Sequence, residues 1–264
     1  MARSLFLPCE TVSENEPGQE TFLSHLVELR NRLVWSLIAV VVVFVCLVPW
    51  AKDIYHLLSE PMLAQLPKGG RMIATEITSP FFIPFKVTFL AAVVISLPFL
   101  LYQAWAFVAP GLYAHEKRLV APLVIASTLL FFCGMAFAYL LVFPTVFRVM
   151  QAFTPSGVEW MPDIGTYLSF VINMFLAFGV TFEVPVVVIL LVRMGAVTVE
   201  KLKAMRPYVI VGAFIVAAVV TPPDVTSQIL LALPLCVLYE VGLVVASVMA
   251  RRATAESATE LQKE

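Results

Sequence analysis

Residues 25–50 read HLVELRNRLVWSLIAVVVVFVCLVPW, and from Leu33 onward the stretch is uncharged and almost wholly apolar. Wound as an α-helix, its first part has two faces. One is an apolar stripe made of Phe22, Leu26, Leu29 and Leu33. The other carries His25, Glu28 and Arg32, while Arg30 lies apart from both. The stretch therefore predicts an amphipathic collar, residues 25–33, that leads into a first membrane span.

The composition is that of a membrane protein. The chain has 264 residues, of which 61% are hydrophobic and 13% charged, with a mean hydropathy of +0.94. Several apolar runs approach the length that crosses a bilayer, which predicts a polytopic all-α membrane protein. The net charge of −1 gives no basic field for nucleic acid. The four cysteines have no Cys-x-x-Cys spacing, so buried free thiols are expected rather than a metal site or disulfide framework.

Six transmembrane helices are predicted, at about residues 33–50, 80–108, 119–143, 167–192, 207–220 and 225–250. With the collar they form a single membrane domain, residues 21–250. It follows a mobile polar segment, 1–20, and precedes a disordered polar tail, 251–264. Residues 51–79 are expected to form short helices at the membrane surface. Prolines inside span two predict kinks, and Pro144 is expected to end span three.

Six spans place both termini on one side of the membrane. Twelve of the 17 lysines and arginines fall on that side and five on the other. By the positive-inside rule both termini are then cytoplasmic, and the collar faces the same compartment as the loop 115–118. Span five has only about 14 residues, or about 21 Å of helix, so its hairpin with span six requires a thinner bilayer or shielding by partners.

Two acids fall within predicted spans. Glu183 lies nine residues, or about 14 Å, from the cytoplasmic end of span four, and Glu240 lies at a similar depth, eleven residues before Arg251. A carboxyl group there costs on the order of 2.5–3.5 kcal/mol, so each should face protein, water or a partner. Either residue is a hydrogen-bonded structural group or an intramembrane contact for a ligand or partner.

Two further acids lie on the cytoplasmic rim. Glu28 has an ordinary helical partner in Arg32, four residues on, and such an exposed pair is worth well under ~1 kcal/mol. Glu116 has no such partner, although Lys117 and Arg118 follow it. Two carboxylates among bases suit a cationic ligand, above all a guanidinium, whose planar fork binds both carboxylate oxygens at once.

The hairpin between spans five and six carries polar groups of its own. Asp224 is typical of a helix cap, whereas Gln228 needs a partner across a helix interface. The sequence contains no Gly-rich phosphate loop, no Ser-His-Asp set and no His/Cys cluster at metal spacing. It therefore predicts a protein that is not an enzyme and needs no metal or cofactor.

The chain resembles one family over almost its whole length, the TatC subunit of the twin-arginine protein translocase. The motifs that carry the resemblance are 25–33 (HLVELRNRL), 102–113 (YQAWAFVAPGLY), 115–118 (HEKR), 178–185 (FGVTFEVP), 206–208 (RPY), 221–228 (TPPDVTSQ) and 231–234 (LALP). Only the first twenty residues and the tail after Arg251 fall outside it.

The resemblance implies a receptor that exports folded proteins across the bacterial inner membrane. The fold would be a concave, glove-like bundle, and export would use the proton-motive force. Its partners would be TatA-type and TatB-type single-span proteins, signal peptides of folded precursors, further copies of the chain and membrane lipid. Glu28 and Glu116 would contact the two signal-peptide arginines. The residues nearby would be Arg30, Phe107 and Leu112.

The resemblance also implies roles for the intramembrane polar groups. Glu183 would face the concave surface, and Asp224, Gln228 and the short fifth span would receive the single-span partners.

Two other functions are kept open. One is a proton-coupled solute transporter that uses Glu183 and Glu240; the other is a structural scaffold in which Glu28 and Glu116 are replaceable.

Overall fold

The structure, a computed structural model, describes residues 17–63, 71–108, 120–155, 161–221 and 225–261. These ranges contain ten α-helices and no β-strand. The helices are α1 (Pro17–Leu47), α2 (Ala51–Leu63), α3 (Ser79–Val108), α4 (Val120–Phe137), α5 (Phe143–Ala152), α6 (Ile164–Phe182), α7 (Val184–Arg193), α8 (Val199–Ala204), α9 (Arg206–Val220) and α10 (Val225–Leu261). A 3₁₀ turn, Val48–Trp50, joins α1 to α2, and a π-helical turn, Ala138–Val142, joins α4 to α5.

The predicted all-α membrane fold is confirmed. Five helical stretches are long and apolar enough to cross a membrane: Leu26–Glu60, Ser79–Phe107, Ala121–Ala152, Ile164–Arg193 and Val225–Arg251. The sixth apolar helix, α9, has 15 residues. That is about 22 Å of helix, which is shorter than the roughly 30 Å hydrocarbon core.

The long helices pack in a row. In order, α1 packs on α3, α3 on α4, α4 on α6, α7 on α10 and α10 on α9. Within the described ranges no extensive contact joins α1 to α9 or α10, so the row is open and does not close into a ring.

Two glycines allow α4 and α6 to approach closely. A Cβ atom at Gly134 would lie 2.5 Å from the backbone oxygen of Phe178. A Cβ atom at Gly179 would lie 2.3 Å from the ring of Phe131. Each helix thus receives the other at a position without a side chain, as is common where membrane helices pack tightly.

The predicted end of span three at Pro144 is wrong, because the helix continues as α5 to Ala152. A proline lacks the amide hydrogen, and its ring collides with the carbonyl four residues earlier, so a regular α-helix would break. Here the preceding turn widens, and the Phe143 amide donates to the Ala138 carbonyl five residues back. The π-helical turn accommodates the proline.

The predicted fourth span, 167–192, is two helices rather than one. The chain leaves α6 after Phe182, turns at Glu183 and re-enters a helix as α7. Pro185 has no amide hydrogen to bond Thr181, which explains the break. The Glu183 amide instead donates to the Val180 carbonyl at 3.1 Å, in a tighter turn.

The ends of the chain are more helical than the sequence indicated. Residues 17–20, predicted to be mobile, belong to α1, which begins at Pro17, while residues 1–16 lie outside the described ranges. Helix α2 follows α1 after one 3₁₀ turn. The tail expected to be disordered is helical as far as Leu261. Its alanines, glutamates and leucine have high helix propensities, which outweigh its polarity.

Asp163 ties the start of α6 to the segment that precedes α3. One of its carboxylate oxygens accepts from the amides of Gly165 and Thr166 at 3.0 and 2.9 Å, which caps α6. The other accepts from the amide and hydroxyl of Thr75 at 3.0 and 2.8 Å. Ile73 adds two backbone hydrogen bonds to the residues flanking Asp163. Sequence patterns did not single out this residue.

We expect Asp163→Asn to lower the Tm of the purified protein at neutral pH. Hydrogen bonds from the Thr166 amide and from the Thr75 amide and hydroxyl lower the pKa of Asp163 from 3.8 to about 2. Because the folded-state pKa is depressed, this stabilisation is complete above pH 3.8 and is lost as the pH falls through about 2. The Tm difference between the parent and Asp163→Asn should therefore shrink over that interval. An equal Tm at neutral pH would contradict the prediction, and the exposed Asp53→Asn is the control.

Candidate functional site

The collar contains a defined ion pair. Arg32 donates from Nε at 3.0 Å and from Nη2 at 2.7 Å, and both hydrogen bonds go to Oε1 of Glu28. The Glu28 side chain is 38% exposed and that of Arg32 24%. Among the described residues Oε2 of Glu28 has no hydrogen-bond partner. The predicted pairing is confirmed, but it occupies only one of the two carboxylate oxygens.

The pair is attached to a second helix through Gln103. The third donor of Arg32, Nη1, bonds the Gln103 side-chain oxygen on α3 at 3.1 Å. Further along, Phe44 of α1 meets Phe89 of α3 with ring centroids 6.0 Å apart. Residue numbers rise on one helix as they fall on the other, so α1 and α3 are antiparallel.

The antiparallel packing places Glu28 and Phe107 at one level of the bundle. The contact between Arg32 and Gln103 fixes the register of the two helices. Glu28 lies one turn before Arg32 on α1, and Phe107 lies one turn after Gln103 on α3, so in an antiparallel pair both lie one turn from this contact in the same direction. The structure thus brings two predicted site residues to the same end. Gln103 was not among the predicted site residues, although it lies in the quoted motif as an amide within an apolar run.

The remaining rim residues are less constrained. Arg30 is exposed, and its guanidinium reaches Asn31 Oδ1 at 3.5 Å, apart from the ion pair. Leu112 and Glu116 lie outside the described residues. The segment that carries them joins the end of α3, where Phe107 lies, to the start of α4.

Glu183 is a buried acid at the break between α6 and α7. Its side chain belongs to the core, since the residue is only 9% exposed. In the described part of the chain neither carboxylate oxygen has a hydrogen-bond partner. A buried polar group without a partner costs free energy, about 1–3 kcal/mol for a neutral group and more for a charged one. The predicted intramembrane acid is therefore not satisfied by the bundle itself.

A polar path leads from α3 to the neighbourhood of Glu183. The Trp105 indole donates to Ser127 Oγ on α4 at 2.9 Å. The Ser127 side chain interacts with the Glu183 carboxyl group, although outside hydrogen-bond geometry. Three helices thus contribute polar atoms to one buried region. Ser127 gave no signal in the sequence, because a single serine in an apolar span is common.

Glu240, the second acid predicted within a span, forms an ion pair with the start of α9. Its Oε2 accepts from Arg206 Nη2 at 2.6 Å, in an ion pair whose two side chains are each 45% exposed. Arg206 is the first residue of α9, and Gln228 of α10 donates to the Phe214 carbonyl of α9 at 3.3 Å. Since α9 is short and antiparallel to α10, its start comes level with Glu240. The acid therefore lies level with the first residue of α9.

The other end of the hairpin is only partly described. Gln228 finds its predicted partner across a helix interface, in the bond to α9 just given. Asp224 lies outside the described residues.

Near the ion pair, Tyr239 donates to the Leu202 carbonyl at 2.8 Å, which holds α8 against α10.

Comparisons with known proteins agree with this architecture. Residues 24–234 match the family described as Sec-independent protein translocase protein (TatC). A protein of that name from Escherichia coli K12 is 53% identical over 232 residues, which cover 88% of each chain. A protein of the same name from Halothiobacillus neapolitanus is 56% identical over 230 residues, and these span 87% of this chain but 63% of that relative.

A solved structure has the same fold. The crystal structure of a twin arginine translocase receptor, TatC, superposes with a TM-score of 0.76 at 37% sequence identity. The superposition covers 85% of this chain and 98% of the other.

Proposed function

The chain belongs to the TatC family of Sec-independent protein translocase proteins, and from this premise we propose that it is the receptor and core subunit of a twin-arginine translocase. It binds twin-arginine signal peptides of folded precursors at its cytoplasmic end. Together with TatA-type and TatB-type single-span partners, it exports those precursors across the bacterial inner membrane, driven by the proton-motive force.

The proposed topology has six spans with both termini in the cytoplasm, and α9 is the fifth span. The excess of lysine and arginine on the terminal side supports this orientation. The length of α9 supports a locally thinned bilayer beside the α9–α10 hairpin. In this orientation Glu28, Phe107 and the loop that carries Glu116 all meet the cytoplasm.

One observation supports the binding site above the others. Glu28 keeps one carboxylate oxygen without a partner in the described chain, at the level of Phe107. A signal-peptide arginine can bind that carboxylate while its apolar neighbours pack on the aromatic ring. We assign Glu116 to the second arginine, with Arg30 and Leu112 beside the pair, as the family resemblance implies.

The buried polar groups fit the proposed transport function. The unsatisfied carboxyl group of Glu183 would gain its missing hydrogen bonds from a partner helix or an inserted signal peptide. Asp224, Gln228 and the short α9 would form the surface for single-span partners. A proton-coupled transporter is disfavoured, because Glu240 pairs with Arg206 at the end of α9 instead of continuing a relay from Glu183.

The experiment that tests this function compares two signal peptides that differ only in Arg-Arg against Lys-Lys. Lysine cannot make the two-point contact with a carboxylate, so we expect the purified protein to bind the arginine peptide about 10-fold more tightly. Fluorescence anisotropy in detergent gives both Kd values. Equal Kd values would contradict the proposed binding site.

A further inference from the structure

We propose that Arg32 is an internal competitor for the signal-peptide arginine, and that it lowers the affinity of Glu28 for its ligand. The inference rests on the proposed function, because it concerns the same carboxylate. The observation behind it is that two donors of Arg32 converge on the single oxygen Oε1, at 3.0 and 2.7 Å. The chain thus offers Glu28 the same chemical group that the ligand would bring.

The geometry makes this competition selective for arginine. A guanidinium that binds both oxygens of Glu28 must first displace Arg32 from Oε1, since that oxygen already accepts two hydrogen bonds. A lysine ammonium is a point donor and can use the open oxygen Oε2 without displacing anything. Arg32 therefore weakens the binding of arginine more than that of lysine.

Gln103 is a positioning residue, because it holds the Arg32 side chain in place for this competition. Its side-chain oxygen holds Nη1 of Arg32 at 3.1 Å from the neighbouring helix α3. An unanchored arginine on a helix surface must give up rotamer freedom to form an ion pair, and this entropy cost makes such pairs weak. With one donor anchored on α3, the remaining donors of Arg32 stay directed at Glu28.

The competition has a function in transport, because a receptor must release its signal peptide. After the ligand arginine leaves one oxygen of Glu28, Arg32 is already in place to rebind. The apparent affinity is the intrinsic affinity multiplied by the fraction of Glu28 that is free of Arg32. An ion pair of the strength usual at protein surfaces leaves roughly a fifth to a half of Glu28 free.

The test measures the Kd of the Arg-Arg and Lys-Lys peptides for the full chain and its variants. Arg32→Gln should bind the Arg-Arg peptide about 2- to 5-fold more tightly, and the preference for Arg-Arg over Lys-Lys should rise. Misfolding cannot produce tighter binding. Arg32→Lys keeps the charge but not the fork, so its affinity should be intermediate.

Gln103→Leu should give a smaller gain in the same direction, and no further gain when Arg32 is already glutamine. The exposed Arg148→Gln removes the same charge from α5 and should change neither Kd. Weaker or unchanged Arg-Arg binding in Arg32→Gln would overturn the inference. So would an equal gain for both peptides, which would indicate simple removal of charge. If the parent itself shows no preference for Arg-Arg, the proposed function fails first, and the two failures are thereby distinguished.

Discussion

The double variant Glu28→Gln/Glu116→Gln should lose at least about 100-fold in affinity for a twin-arginine signal peptide. A hydrogen bond to a charged group contributes about 1.5–3 kcal/mol, and the variant removes the charge from two such acceptors. Two losses of this size correspond to a factor of about 100 or more in Kd. Glutamine keeps the shape of the glutamate side chain and one acceptor oxygen. The loss of affinity therefore measures the contribution of the negative charge and of the two-point contact.

The measurement is the same peptide anisotropy, supported by crosslinking of the peptide to the collar. Glu60→Gln/Glu200→Gln is a matched control, because both glutamates are exposed and lie on α2 and α8. It makes the same charge change and should bind as the parent does. Unchanged twin-arginine binding in the Glu28→Gln/Glu116→Gln variant would favour a structural scaffold over a receptor.

The second large effect concerns folding. Gly134→Ala should lower the stability by about 1–3 kcal/mol, as overpacked cores do. The new methyl group would lie 2.5 Å from the backbone oxygen of Phe178 and 3.0 Å from the ring of Phe182. A backbone atom cannot turn away as a side chain can, so α4 and α6 must separate. We expect Tm to fall by roughly 2–12 °C for a chain of this size.

The same substitution on α9 should have the opposite effect. Apart from its chain neighbours and the nearby backbone of α9 itself, a Cβ atom at Gly212 would meet no heavy atom of the described residues within 4 Å. Gly212→Ala should therefore be neutral or stabilise the helix by up to about 1 kcal/mol, because alanine has the higher helix propensity. Thermal unfolding of both variants in one detergent compares them directly. If the two alanines shift Tm alike, the close approach of α4 and α6 is not what Gly134 provides.

The sequence alone was sufficient for the class of fold, the apolar helices and the family. Hydropathy and helical periodicity are local properties. A membrane helix satisfies its backbone internally, and its side chains must be mostly apolar because they meet hydrocarbon. The pairing of Glu28 with Arg32 was also accessible, because residues four apart on one helix are neighbours. The short length of α9 could also be predicted, by counting the apolar residues between Arg206 and Thr221.

Other features depended on which helices pack together, and hydropathy does not encode this. Arg32 and Gln103 are 71 residues apart in the chain, Thr75 and Asp163 are 88 apart, and Arg206 and Glu240 are 34 apart. Arg206 comes level with Glu240 because α9 is short, so its first residue reaches less far along α10 than the first residue of a full span would. Pro144 ended no helix because a π-helical turn was available to accommodate it.

The collar shows both contributions in one place. Its sequence determined an amphipathic entry to the membrane and an ion pair within one turn of helix. Only the packing of α1 against α3 brought Gln103 to Arg32, left Oε2 of Glu28 open among the described residues and set Glu28 level with Phe107. The physical reason is that a helix specifies its own faces through its periodicity, whereas the partner of each face is chosen by the tertiary structure.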